Sequence, residues 1–184
     1  MRTAPLFTYL ADHPAFIPTI AQWLHQEWHD FYPSETEAQI AAELETHLNR
    51  DRIPLTIVAL EQNSSHLVGT ISLMHGKTEA PPEYAELFPW LASLYVIPEK
   101  RGTGLGRLLV QRILQEANRL KQSQVYLWTE IPTRVQTSKE TEARTTALID
   151  WYTQQGWQAI AQTNFQQQPV QIMRYDLKAF QDIF

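Results

Sequence analysis

Arg101, Gly102, Gly104, Gly106 and Arg107 fall together in the run Arg-Gly-Thr-Gly-Leu-Gly-Arg. Such a run suits an anion. Glycine lets the backbone approach a ligand without a Cβ in the way. Unpaired N–H groups at a helix start point outward, and the helix dipole adds positive potential there. Each arginine can add a charge-assisted hydrogen bond worth about 1.5–3 kcal/mol when well formed. Two phosphate motifs are not met. A P-loop closes its glycines with Lys-Ser or Lys-Thr, whereas Gly106 is followed by Arg107 and Leu108. The dinucleotide fingerprint needs a final glycine where this chain has Arg107 or Leu109. What stands is R-x-x-G-x-G, filled by Arg101, Gly104 and Gly106. The histidines (His13, His25, His29, His47, His66, His75) lack metal-ligand spacing, and His25 and His29, four apart, have no third ligand in sequence, so no metal site is expected.

The flanking elements must hold that loop. Residues 91–97 are apolar and β-rich and end at Pro98, which reads as a strand. Leu105, Leu109, Ile113 and Ala117 recur every four residues, with Leu108 and Leu120 beside them, as on one face of a helix. Residues 124–129 give a further strand, so a βαβ unit with two parallel strands is predicted. Upstream, a strand is expected over 6–10 and a helix over 15–28 capped by Asp12. A second helix is expected over 35–49, opened by a Ser34–Glu37 capping box, and strands over 54–60 and 67–74. A long acidic, proline-rich loop spans 75–89, and a second polar loop spans 130–144. A short helix over 145–155 ends at Gly156, a C-cap glycine. Strands over 157–161 and 170–177 follow, with the glutamine-rich stretch 162–171 read as the turn between them.

The R-x-x-G-x-G loop, directly after a strand ending Leu94-Tyr95-Val96, resembles the acyl-CoA-binding motif of the GNAT acyltransferase superfamily. Residues 147–157, ALIDWYTQQGW, resemble that family's aromatic-Tyr-x-x-x-Gly-aromatic signature at Trp151, Tyr152, Gly156 and Trp157. The predicted order βααββ, βαβ, αββ matches that fold over nearly the whole chain. The resemblance implies an α/β (α+β) GNAT-like acyl-CoA N-acyltransferase fold with a mixed central sheet flanked by helices, as a single domain over 1–184. It implies direct transfer of an acetyl group from acetyl-CoA to a primary amine on a small molecule or a peptide N-terminus. Leu94, Tyr95, Val96, Arg101, Gly102, Thr103, Gly104, Leu105, Gly106 and Arg107 would bind the cofactor. Thr145 would join them, at a position where relatives often carry asparagine. A Val96 backbone N–H is the candidate oxyanion donor, worth about 2.7–4 kcal/mol. Tyr152 would be the acid for the leaving thiolate. The central strand, Trp90-Leu91-Ala92-Ser93-Leu94, lacks the carboxylate that many relatives place there. Glu86 is the expected base, with Glu130 and a water chain as alternatives. Trp28, His29, Phe31 and Tyr32 lie between the first two helices, which face the acceptor in relatives; with Trp90 they would form an aromatic, mildly acidic site for a cationic amine. The competing reading is a non-catalytic acyl-CoA-binding sensor or interaction domain.

Composition bounds these readings. The chain has 184 residues, 43% hydrophobic and 19% charged, a globular composition. A net charge of −5 argues against nucleic acid as the main partner. There is no cysteine, hence no disulfide framework, thiolate metal site or cysteine nucleophile. No stretch approaches the roughly 20 apolar residues of a membrane span, and the N-terminal residues lack a signal-peptide core, so no membrane partner and a cytoplasmic location are expected. Tyr175, Phe180 and Phe184 are candidates for a homodimer contact or a core edge.

Overall fold

Runs of four to nine residues become strands of one mixed sheet, and the four-residue periodicities become the helices that cover it. The computed structural model describes residues 4–62, 64–131 and 148–177. The elements are β1 (Leu6–Tyr9), α1 (Ile17–Trp28), α2 (Glu37–Thr46), β2 (Leu55–Leu60), β3 (Leu67–Met74) and a one-turn α3 (Gly76–Glu79). They continue with β4 (Trp90–Val96), α4 (Leu105–Arg119), β5 (Gln124–Glu130), α5 over 148–153, β6 (Gln158–Phe165) and β7 (Gln168–Asp176). The sheet order is β1-β2-β3-β4-β5-β7-β6. The pairs are antiparallel except β4–β5, which is parallel and joined by α4, as the βαβ reading requires.

Two faces of the sheet bury two cores. Leu105, Leu109, Ile113 and Ala117 of α4 pack with Ile57, Ile71, Leu91, Leu127, Tyr152 and Trp157. On the other face Ile20, Leu24, Ile40 and Leu44 of α1 and α2 pack on Val58 and Leu60. The alternation along β2 explains the split: Ile57 and Ala59 point to α4, Val58 and Leu60 to α1 and α2.

Several boundaries differ from the sequence reading. The capping box at α2 is Thr36 with Gln39, whose backbone N–H donates to the Thr36 hydroxyl at 3.3 Å while the Gln39 side chain accepts from the Thr36 N–H at 2.9 Å. Ser34 and Glu37 have the same spacing but fall two residues too early. Asp12 does not cap α1; it accepts from the Thr8 hydroxyl at 3.1 Å and pairs with Arg50. The glutamine stretch is mostly strand, because a two-residue turn at Gln166 and Gln167, with φ of 49° and 63°, suffices to reverse the chain. Tyr175 packs on Trp157 with ring centroids 5.4 Å apart, which makes it a core edge. Phe180 and Phe184 lie outside the described residues.

Beneath α2 a buried polar chain crosses the first two long strands. His47 Nδ1 lies 2.9 Å from the Thr56 hydroxyl, which lies 2.8 Å from the Ser72 hydroxyl, and all three residues are buried. Burial, then the nearby His75, pushes His47 down to about 4 from 6.5. A histidine held neutral in the fold contributes stability that is present above the unfolded value of 6.5 and is lost as pH falls toward 4. Over that window the loss is about 3 kcal/mol. Thermal melts at pH 7 and pH 4 should therefore show a smaller acid-induced fall in Tm for His47→Gln than for the wild type. Equal falls would contradict the burial of a neutral imidazole.

Candidate active site

The parallel strands β4 and β5 share a single register pair, Trp90 with Tyr126, supplemented by the Tyr126 N–H donating to the Pro89 carbonyl at 2.9 Å. Beyond that pair they part toward their C-terminal ends. β5 keeps its full antiparallel pairing with β7, and β4 stays paired with β3, so both walls of the fork are supported. A bulge just past the fork re-aims β4: the register shifts between Thr70 and Ser72, and Ser93 takes φ of 55°. That conformation costs a non-glycine residue about 1–3 kcal/mol and persists where flanking pairing over-determines it. Leu94 and Val96 turn their side chains into the α4 core, and Tyr95 stacks on Trp23 at 5.0 Å. What these residues offer a ligand at the fork is backbone.

The glycine loop ends at the fork. Gly102 and Gly104 have φ of 72° and 90°, the left-handed region where other residues are strained, and a Cβ at either would meet nothing within 4 Å. The space beside both is open. Gly104 is the N-cap of α4 and has no side chain to satisfy the first-turn amides. The first intrahelical bond runs from the Leu108 N–H to the Gly104 carbonyl at 3.2 Å, leaving the amides of Leu105, Gly106 and Arg107 for an incoming anion. Leu105 buries its side chain in the core, so it too offers only its amide. Thr103 is tied to the Lys100 carbonyl at 2.7 Å, and Arg107 is exposed one turn in. This cradle fits a pyrophosphate.

Arg101 is the departure. Its Nε donates to the Val96 carbonyl at 2.9 Å, its Nη2 donates to Glu27 at 3.0 Å, and its guanidinium lies over the Tyr95 ring at 5.4 Å. Arg101 therefore braces the end of β4 against α1, and the cradle rests on amides more than on arginines.

Against this loop stands α5. The Trp151 ring lies 3.9 Å from where a Gly106 Cβ would be, so α5 leans on the first turn of α4. Tyr152, next in sequence, sits between Trp151 and Trp157 in edge-on contacts with centroids 4.9 Å and 5.7 Å away. Burial raises the Tyr152 phenol above its usual value and keeps it protonated. Gly156, at φ of 93°, ends the turn and lets the Trp157 N–H return to the Tyr152 carbonyl at 3.2 Å. Thr145 lies outside the described residues.

The opposite face of the fork is aromatic and acidic. Phe31 stacks on Trp128 at 4.7 Å, and Tyr32 and Phe165 close on Phe31 at 5.1 Å and 6.0 Å. These rings cluster with Trp90 and Tyr126, the residues of the last β4–β5 pair. The Trp128 indole N–H donates to the Glu79 carbonyl at 2.8 Å. Glu35 and Glu43 both act on Glu79, and Glu35 acts on Glu43. Burial, then the charges of Glu43 and Glu35, pushes Glu79 up to about 8, a rise partly offset by a hydrogen bond from Trp128. Burial and mutual repulsion also raise Glu43, and burial raises Glu35. The Tyr32 hydroxyl is raised by burial and by the same three carboxylates.

Of the residues expected to meet an acceptor, Tyr32 stands in this group. Trp90 does not line it: the ring is wholly buried and its Nε1 donates to the Leu87 carbonyl at 2.7 Å, making it the floor of the fork. Trp28 packs into the α1–α2 core, and His29 is exposed with its ring 5.1 Å from that of His25. Glu86 is exposed, inside the turn that returns the Leu87 N–H to the Tyr84 carbonyl, and is not among the groups that act on Glu79. Glu35, Glu43, Glu79, Trp128 and Phe165 come from four distant segments. Glu35 precedes α2 and Glu43 lies on it, eight residues on. Among the described residues no cluster of histidines and acids could hold a metal ion, and no helix is long and apolar enough to cross a membrane.

A mixed sheet that forks beside a glycine-capped helix defines an acyl-CoA transferase architecture. The chain belongs to the acetyltransferase (GNAT) family, whose model matches residues 17–137. Solved structures agree on the fold. An aminoglycoside 6'-N-acetyltransferase complexed with coenzyme A is 19% identical with a TM-score of 0.67, over 94% of this chain and 97% of that one. The spermidine N-acetyltransferase from Vibrio cholerae, in complex with CoA and spermine, is 15% identical with a TM-score of 0.66, over 97% and 98%. The aminoglycoside 6'-N-acetyltransferase from Enterococcus faecium is 18% identical with a TM-score of 0.64, over 94% and 97%. No curated protein sequence matches. Family membership makes the chain an acetyltransferase and weighs against a bare binding module.

Proposed function

We propose that this enzyme transfers the acetyl group of acetyl-CoA to a primary amine on a small molecule bearing more than one positive charge. The observation that carries the acceptor class is the set of three carboxylates, Glu35, Glu43 and Glu79, beside the rings of Tyr32, Phe31 and Trp128 at the fork. Ammonium groups offset the repulsion among those carboxylates, and aromatic faces attract them further. Relatives of the same fold acetylate aminoglycosides and spermidine, both polycations, which supports the class.

In this reading acetyl-CoA supplies an activated thioester. The amides that open α4 hold its pyrophosphate, and the backbone of β4 past the fork takes the extended arm. The fork presents the reacting carbon between the two strands, with the aromatic and acidic face supplying the amine. The neutral Tyr152 hydroxyl donates a hydrogen bond to sulfur as the C–S bond breaks.

The test is a panel of amines with acetyl-CoA, read by free-thiol release: spermidine, an aminoglycoside, a single amino acid, a peptide N-terminus and a neutral amine. The polycations should be the best acceptors by kcat/KM, by tenfold or more. A neutral amine or an amino acid at the top of the ranking would overturn the acceptor class.

A further inference from the structure

The acceptor arrives as an ammonium ion and must lose a proton before its nitrogen can attack, and β4 offers no acid for the task. We propose that Glu79 takes that proton, a role resting on the reading above that the acceptor is a cationic amine at the fork. Three features of its placement carry this. First, Glu79 is tied to the far wall of the fork, since its carbonyl receives the Trp128 N–H two residues beyond the last β4–β5 pair. Second, α3 is locked in place. A Cβ at Gly76 would lie 2.4 Å from the Ala85 carbonyl and 2.7 Å from that of Leu87, so the backbones are already in close contact, and the Ala80 N–H closes on the Gly76 carbonyl at 2.9 Å. Third, the Glu79 side chain is partly buried in the acidic group rather than spread on the surface, unlike Glu86.

The groups that face it are Tyr32 and Glu35 from the α1–α2 connection, Glu43 from α2 and the neutral Trp128 from β5. Among the described residues, the charged groups that act on Glu79 are Glu43 and Glu35. His25 acts on Glu35 instead, lowering it. Glu79 is also raised to about 8, where a base is strong enough to draw on an ammonium and still gives its proton back to water.

The ammonium R–NH3+ passes one proton to the Glu79 carboxylate. The nitrogen lone pair bonds to the thioester carbon, and the C–S bond breaks. The remaining excess proton on nitrogen goes to the sulfur to give the free thiol. Glu79 then releases its proton to water, so each turnover yields amide, thiol and one proton.

The experiment compares Glu79→Gln, Glu79→Asp and Glu43→Gln with the wild type in the full chain, using spermidine and acetyl-CoA. For Glu79→Gln we expect kcat to fall about a hundredfold, with affinity for acetyl-CoA changed less than about threefold. The wild-type kcat/KM should rise with pH through a limb near 8 that vanishes in Glu79→Gln, and Glu79→Asp should regain part of kcat and the limb. Glu43→Gln should raise KM and move the limb to lower pH, because a like charge has gone. Independently of turnover, carbon-13 NMR of the glutamate carboxyls should show one group titrating near 8 in the wild type and absent from Glu79→Gln. A folded Glu79→Gln enzyme with wild-type kcat and an unchanged limb would refute the role, as would the missing NMR titration. Should the wild type acetylate a neutral amine and not spermidine, the polycation reading falls, and kcat of Glu79→Gln on that amine decides the role of Glu79 separately.

Discussion

Replacing Gly104 by valine should weaken acetyl-CoA binding about a hundredfold or more and leave the protein folded. Gly104 sits at φ of 90° as the N-cap of α4. Residues with a Cβ pay about 1–2 kcal/mol to enter the left-handed region, and β-branched ones more. A Cβ there has nothing within 4 Å beyond its chain neighbours, so the core has no reason to unfold. The new side chain would instead occupy the open space that the anion needs and pull the loop toward ordinary dihedrals. The amides of Leu105, Gly106 and Arg107 would then no longer converge. Each charge-assisted hydrogen bond lost costs about 1.5–3 kcal/mol, and one or two such losses plus the strain correspond to the hundredfold fall. Calorimetric titration with acetyl-CoA measures this directly, with circular dichroism to confirm the fold. Wild-type affinity in a folded Gly104→Val protein would remove the loop from the cofactor site.

The second large effect is on chemistry. Tyr152→Phe should lower kcat about a hundredfold while the affinity for acetyl-CoA stays within about twofold. The ring contacts with Trp151 and Trp157 survive the change, so packing is kept and only the hydroxyl goes. Because burial raises the Tyr152 phenol, its ionisation cannot produce an alkaline fall in wild-type kcat at or below about 10, the usual phenol value. A pH profile showing such a fall, lost in Tyr152→Phe, would contradict the buried, neutral hydroxyl. Unchanged kcat in the variant would end its role at the leaving sulfur.

The glycine loop proposed to hold the cofactor was legible in the sequence because it is built locally. Positive φ at Gly102 and Gly104 needs glycine, and the strand before and the helix after announce themselves by their own periodicities. The parallel pairing of β4 with β5 follows from the βαβ order. The acceptor half was not legible, because its parts meet only through tertiary packing. Glu79 is one acid in a loop that also holds Glu83 and Glu86, and nothing in the sequence distinguishes the one whose carbonyl meets Trp128. Trp90 looked like a site aromatic, but its place in the last β4–β5 pair buries it. Arg101 looked like a phosphate ligand, yet Glu27, far upstream on α1, takes its guanidinium. Ser34–Glu37 and Thr36–Gln39 have the same capping spacing, and only the register of Ile40 and Leu44 against the sheet selects the second.

The most direct test follows the acetyl group itself. The purified protein is given acetyl-CoA labelled in the acetyl carbon together with spermidine, and the products are separated after a few turnovers. The label should appear in an amide on spermidine, in step with free thiol. Label left on the thioester, or released as acetate at the same rate with and without spermidine, would contradict acetyl transfer to a polycationic amine.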